Sequence, residues 1–133
     1  VSYMGKQVSA TGQENMLGEG QSTFSYTLPQ NAAAASATIT NEAGSTVYYG
    51  AAETTSGKHS FVWDGSSTTG VAQPNGKYQL TINATNPDGQ PITPSYGITG
   101  SVTGVEFDGG TAVLSIGSVK VPLTNVTQIH DTE

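Results

Sequence analysis

The sequence predicts an all-β protein, with a small β-sandwich inserted into a small β-barrel, and three observations carry that reading. Apolar and polar residues alternate with a period of two along much of the chain. Gly, Pro, Asn and Asp cluster between the alternating runs, where turns are needed. Helix signals are poor. The alanine-rich run from Asn31 to Ala35 is too short to nucleate a helix, and Thr38-Ile39-Thr40 follows at once.

Taken in order, the opening stretch SYMGKQVSA has strand character and an apolar Val8 to bury. Thr11–Gln21 (TGQENMLGEGQ) holds three glycines and little alternation, and reads as a linker. Phe24, Tyr26 and Leu28 alternate with Ser25 and Thr27 as a half-buried strand does. Gln30–Ala33 reads as a loop, and Ala37 and Ile39 then alternate with Thr38 and Thr40. Asn41–Gly44 and Gly57 mark turns. His59, Phe61 and Trp63 share one strand face, and after Pro74-Asn75-Gly76 so do Tyr78, Leu80, Ile82 and Ala84.

Asn86-Pro87-Asp88-Gly89 is a further turn, and Pro87–Gly97 (PDGQPITPSYG), with three prolines, reads as a second linker. The remainder, SVTGVEFDGGTAVLSIGSVKVPLTNVTQI, has short strands and tight turns, with Asp108-Gly109-Gly110 as one turn and Val119 and Val121 flanking Lys120. That tail supplies three or four strands, one short of a five-stranded barrel. The opening stretch supplies the missing one. The expected organisation is a discontinuous barrel from residues 1–16 and 95–133, with residues 17–94 as the inserted sandwich. Such insertions are tolerated where the host loop has neighbouring ends.

A chain of 133 residues suits one domain or two very small ones, and it can bury roughly two-thirds of its unfolded surface. It has no cysteine, which excludes disulfides and thiolate metal sites. Charged residues make up 11% of the chain, against a usual value of about 25%. Four lysines, no arginine and ten acidic residues give a net charge of −6. Nucleic acid and anionic membrane surfaces both need clustered cations, so neither is expected as a partner. No run approaches the roughly 20 apolar residues of a membrane span. No basic start followed by an apolar run marks a Sec-type signal peptide.

The stretch with most information is Phe61–Leu80, FVWDGSSTTGVAQPNGKYQL. Trp63, the only tryptophan, is in phase with Phe61, so its indole is expected in the core rather than as a sugar platform. Asp64-Gly65 then opens a loop, with the carboxylate placed to accept backbone N–H bonds. Asp64, Asp88 and Asp108 each precede a glycine, as calcium-loop aspartates do. None belongs to a D-x-D-x-D run, so no metal site is expected. Glu106 and Asp108, two residues apart beside a turn, read as a solvated pair rather than catalytic carboxylates. His59 reads as a partly buried strand residue, and His130 sits in a polar end. Neither accompanies a nucleophile motif. No catalytic residue, no cofactor and no phosphate loop are expected.

The pattern F-x-W-D-G, eight residues, then P-x-G-x-Y (Trp63, Asp64, Gly65, Pro74, Gly76 and Tyr78) resembles the middle domain of bacterial flagellar hook-capping proteins, the FlgD family. The tail resembles the Tudor-like barrel of the same family through Gly100–Glu106, Asp108-Gly109-Gly110, Leu114–Gly117, Val121-Pro122-Leu123, and Val126 before Ile129. Met4–Val8 resembles the strand that opens that barrel. The resemblance covers nearly the whole chain, and the family's N-terminal region is expected to lie outside it.

The resemblance implies an Ig/fibronectin-III-like sandwich inserted in a Tudor-like (SH3-like) barrel. It implies a non-enzymatic scaffold that caps the growing hook and promotes addition of hook subunits. The implied partners are hook protein subunits and further copies of the chain in a homo-oligomeric cap that needs the N-terminal region. The implied location is the extracellular hook tip, reached through the flagellar secretion channel without a cleaved signal peptide. No partner-binding residue carries over. A Tudor-like barrel elsewhere can read methylated side chains through an aromatic cage, but only Tyr3, Tyr96 and Phe107 are available here, so that function is not transferred. The alternative reading is a carbohydrate-binding or adhesive β-sandwich module of a secreted protein.

Overall fold

A computed structural model describes residues 4–18 and 20–130, the side chain of Asp108 aside. Tyr3 and the other residues of 1–3 and 131–133 lie outside the described residues. The strands in chain order are β1 (Gln7–Thr11), β2 (Glu14–Leu17), β3 (Ser22–Leu28), β4 (Ala34–Thr40), β5 (Thr46–Ala51), β6 (Gly57–Trp63), β7 (Gly76–Thr85), β8 (Pro91–Ile92), β9 (Ser95–Ser101), β10 (Gly104–Asp108), β11 (Thr111–Ile116), β12 (Val119–Pro122) and β13 (Val126–His130). One 3-10 turn, Leu123–Asn125, precedes β13. No helix among the described residues is long and apolar enough to cross a membrane.

The strands form three antiparallel sheets. One runs β13-β1-β9-β3-β6, a second runs β2-β7-β4-β5 with β8 on the end of β7, and a third runs β10-β11-β12. The alternation explains the packing, because a strand can bury only every second residue. Phe24, Tyr26 and Leu28 of β3, Trp63 of β6 and Ile98 of β9 enter one apolar cluster with Ala37 and Ile39 of β4 and the alternate residues Tyr78 to Ala84 of β7. Each large side chain so buried contributes about 1.5–3 kcal/mol. Val8, Ala10, Val102, Leu114, Ile116, Val119 and Val121 continue the same cluster toward the third sheet, and Lys120 between the last two is exposed.

The chain is all-β, as the alternation predicts, and Gln30–Ala33 precedes β4 as expected. Both supposed linkers need correction. Thr11–Gln21 contains β2, which pairs with β7 from Glu14↔Gln79 to Leu17↔Gly76. Asn15 and Leu17 on it are buried. Pro87–Gly97 contains β8 and the start of β9, and Ile92 is buried. Four- and two-residue strands show no period to read, and the glycines and prolines around them carry the stronger local signal.

The two chain ends meet, since β1 lies between β13 and β9. The sheet does not stop there, because β9 also pairs with β3 from Thr23↔Thr99 to Thr27↔Ser95. Ladders therefore cross both expected boundaries, β2–β7 at 16/17 and β9–β3 at 94/95.

Gly100 on the shared strand β9 explains how the third sheet seats. A Cβ there would lie 2.7 Å from Ile116 Cγ2 and 3.4 Å from Asn15 Oδ1. A strand glycine marks such a close approach. Gly100→Val is expected to push β11 away at an overpacking cost of about 1–3 kcal/mol, seen as a Tm lowered by roughly 5 °C or more. An unchanged melt would mean that Ile116 does not pack on β9.

Candidate functional site

β6 ends at Trp63, and the residues singled out by sequence converge there. The indole is 2% exposed. It meets Tyr78 edge-on, with ring centroids 4.8 Å apart, a geometry the aromatic quadrupoles favour. Its Nε1–H donates to the Ser66 carbonyl at 2.9 Å. The Tyr78 hydroxyl donates to the Pro74 carbonyl at 2.6 Å. Burial raises the Tyr78 pKa above its ordinary value, and the Glu42 carboxylate adds to the shift.

Asp64 starts the loop as an Asx turn, its Oδ1 accepting the Ser66 N–H at 3.0 Å. Gly65 follows at φ +80, where a Cβ would lie 3.0 Å from Leu17 Cδ1. Both its left-handed backbone and its contact with β2 call for glycine. The loop closes with Gln73 N–H donating to the Gly65 carbonyl, and it is fastened to β5 by Thr68 N–H donating to the Val47 carbonyl at 3.1 Å. The Tyr49 N–H donates to Thr68 Oγ1 at 2.9 Å. Gly76 opens β7.

Trp63, Asp64, Gly65, Pro74 and Tyr78 thus build a corner that carries the chain from one sheet to the other. The indole N–H, the Tyr78 hydroxyl and one Asp64 oxygen are spent on the chain itself. Such an arrangement fixes a loop and orders two sheets.

A second polar centre escaped sequence reading. Asn15, 1% exposed, sits on β2 in the second sheet. Its Nδ2 donates to the Thr23 carbonyl at 2.7 Å and to the Thr99 carbonyl at 3.0 Å, both in the first sheet. Its Oδ1 accepts the Met16 N–H at 2.8 Å. Tyr96 forms another tie, its hydroxyl accepting the Ile82 N–H at 2.9 Å. Tyr26 closes the loop after β5, accepting the Glu53 N–H at 2.7 Å. Burial raises the pKa of both tyrosines. The one available signal for Asn15 was an amide amid Gly-rich polar sequence, which does not separate a pin from a turn.

The other candidates are scattered. His59 Nε2 bonds the Thr55 carbonyl at 2.7 Å, and its ring lies 5.2 Å from Tyr26. His130 Nε2 meets Ser9 Oγ at 3.1 Å, and Ser9 Oγ meets Thr99 Oγ1 at 3.0 Å. Glu106 pairs with Lys120 Nζ at 3.3 Å, both side chains being exposed. In the turn of Asp88, Asn86 Oδ1 takes the N–H groups of Asp88 and Gln90, each at 2.9 Å. Phe107 is exposed, and the Tyr96 hydroxyl is engaged inside the fold, so these two build no cage. Among the described residues no three His, Asp or Glu side chains gather as metal ligands. The melting temperature is expected to be the same in EDTA as in millimolar calcium. A shift of several degrees would identify Asp64, Asp88 or Asp108 as a ligand.

Comparison with known proteins places these features. The FlgD Ig-like domain family matches residues 8–88. The basal-body rod modification protein FlgD of Escherichia coli K12 is 39% identical over 80 residues, 59% of this chain and 35% of that protein. FlgD of Salmonella typhimurium LT2 is 41% identical over 64 residues, 47% of this chain and 28% of that protein. The chain therefore spans only about a third of the length of these relatives, 35% and 28% respectively. Among solved structures, FlgD of Pseudomonas aeruginosa superposes with a TM-score of 0.83 at 22% identity, covering 98% of this chain and 99% of that one. FlgD of Xanthomonas campestris gives 0.77 at 22% identity, covering 96% and 94%. At that identity the superpositions speak for the fold.

Proposed function

The chain belongs to the FlgD family, and from that premise we propose that it is a non-enzymatic scaffold of flagellar hook assembly, capping the growing hook and promoting addition of hook subunits. The names of the curated relatives support a place in basal-body and rod construction. The solved Xanthomonas campestris relative is described in connection with hook capping essential for flagellar assembly. The observation that carries the non-enzymatic reading is the Trp63 corner, where the family's signature residues bond to one another and to the backbone.

On this reading the protein acts through surfaces. It retains exported subunits at the hook tip and offers them a place to dock. Its partners are hook subunits and further copies of itself, and it works outside the cell after passage through the flagellar export channel. The two-part organisation belongs to the same proposal: residues 1–16 and 95–133 form a Tudor-like barrel that presents the sandwich of residues 17–94, the two being joined through the β2–β7 and β9–β3 ladders. The adhesive alternative lacks support at the signature, because the indole that would stack on a sugar is buried.

The test is complementation in a strain lacking its own copy, using the full-length protein that carries this chain. The parent should restore hooks visible by electron microscopy. Replacing residues 21–92 with a short Gly/Ser linker should abolish them. Normal hooks from the shortened protein would refute a role for the sandwich in the cap, and glycan-array binding by the parent chain would favour the adhesive reading.

A further inference from the structure

An asparagine side chain is open to attack by the backbone nitrogen of the residue that follows it. The reaction needs a carboxamide free to rotate, an N–H free to be released, and a next residue that lets the two meet. Glycine meets the last need best, having no Cβ and the widest backbone freedom.

The chain has seven asparagines, and the fold protects six of them. Asn15 is buried, and its Oδ1 takes the N–H of Met16, the nitrogen that would attack. Asn31 Oδ1 takes the Ser56 N–H, and the Ala32 N–H is bound to the Thr54 carbonyl at 2.7 Å. Asn41 Oδ1 is fixed by the N–H groups of Ala43 and Ser45. Asn83 lies within β7, and Ala84 after it pairs with Ala35 on one side and Ile92 on the other. Asn86 is fixed by the N–H groups of Asp88 and Gln90, and it precedes Pro87, which has no N–H. Asn125 is followed by Val126, whose N–H donates to the Leu123 carbonyl.

Asn75 differs on each count. It is exposed in the bend before β7. No hydrogen bond holds its side chain among the described residues, and Gly76 follows it. Gly76 pairs with Leu17 at the end of the β2–β7 ladder, where pairs open at least cost.

We propose that Asn75-Gly76 is a site of spontaneous modification, converting to an aspartyl or isoaspartyl linkage with water as the co-reactant. The Gly76 nitrogen gives up its proton and bonds to Asn75 Cγ. The Cγ–Nδ2 bond breaks, and ammonia leaves with that proton. Water then opens the resulting imide ring. Opening at Cγ gives aspartate, and opening at the main-chain carbonyl gives isoaspartate. Nothing is oxidised or reduced. Either product adds a carboxylate near Glu42, whose Oε2 lies 4.0 Å from where a Gly76 Cβ would stand. Isoaspartate also adds a carbon to the main chain between Pro74 and Tyr78. The Tyr78 hydroxyl bonds back to the Pro74 carbonyl across that stretch, so the longer chain loosens the ring that packs on Trp63.

The test is to age the folded chain in warm, mildly alkaline buffer and digest it with trypsin. The peptide of residues 59–77 holds one asparagine. It should gain the mass difference between amide and carboxyl about tenfold faster than any other asparagine-containing peptide. It should also accept methyl groups from an isoaspartyl methyltransferase. Asn75→Gln, whose longer side chain must close a larger ring, should lose both signals and fold as the parent does. The isoaspartyl form, separated by anion exchange, should melt about 4 °C below the parent, as the loss of one hydrogen bond gives. Asn75→Asp, which leaves the main chain unaltered, should melt with the parent.

An Asn75 amide that outlasts the other asparagines overturns the proposal. So does one that reacts only in a chain unfolded by urea, because the end of the β2–β7 ladder would then be closed to the reaction. An isoaspartyl form as stable as the parent overturns the link to the Trp63 corner.

Discussion

Trp63→Ala is expected to destabilise the protein by about 3–5 kcal/mol, against a total stability of about 5–15 kcal/mol for a domain. Three losses combine. The indole is 2% exposed, so its removal leaves a cavity the size of a large side chain. The edge contact with Tyr78 at 4.8 Å disappears, a term of about 0.5–1.5 kcal/mol beyond area burial. The Ser66 carbonyl loses its donor, and the loop it anchors crosses to the other sheet. Trp63→Phe keeps much of the ring and removes the N–H, so it should cost clearly less and isolate the hydrogen bond. Far-UV circular dichroism in denaturant reads the loss, since the substitution removes the fluorophore. In the parent, Trp63 emission should resist iodide quenching. A variant melting within a degree of the parent would show that the corner does not hold the sandwich together.

Trp63 was legible because strand periodicity is a local property. Phe61 and Trp63 stand two apart, as do Tyr78, Leu80, Ile82 and Ala84, and a strand turns such spacing into one buried face. The same reasoning found Phe24, Tyr26 and Leu28, and the exposed Lys120 between Val119 and Val121. Periodicity fails where strands are short or sit at an edge. β2 offers only Glu-Asn-Met-Leu between glycines, and its buried Asn15 breaks the apolar pattern. β5 is an edge strand that reads Thr-Val-Tyr-Tyr-Gly-Ala without alternation, because neither of its faces is fully covered. Sheet continuity is a long-range fact: that β9 pairs with both β1 and β3 depends on residues some 70 to 90 positions away, which no local window contains. The Trp63 corner combines both kinds of information. Its residues were found from spacing, but the bonds that make it structural, Nε1–H to Ser66 and the Tyr78 hydroxyl to Pro74, appear only in three dimensions.

Asn15→Asp should be nearly as damaging as the loss of Trp63, although the side chain hardly changes size. The amide of Asn15 lies over a cross-strand pair, because Thr23 and Thr99 face each other in the β3–β9 ladder. Both N–H bonds of Nδ2 go to the carbonyls of that pair, and Oδ1 takes Met16 N–H. The side chain is therefore fully satisfied, and it ties β2 of one sheet to β3 and β9 of the other. Aspartate keeps the acceptor and removes both donors. Its charged oxygen would face two carbonyl oxygens in a site 1% exposed.

Each carbonyl left without a donor costs about 1–3 kcal/mol, and burying an unpaired carboxylate adds to that, so a loss of about 4 kcal/mol is expected. Acid should relieve part of it. The folded site disfavours the carboxylate, so the folded state binds the proton more tightly than the unfolded chain does. Stability relative to the parent should then recover as the pH falls and a carboxyl O–H replaces one lost donor. Asn15→Leu, which adds no charge, should fall between the parent and the aspartate variant and show no such recovery. Denaturant midpoints in neutral and mildly acidic buffer decide the matter. A parent-like midpoint for Asn15→Asp at neutral pH would mean that the sheets are joined through the apolar cluster alone.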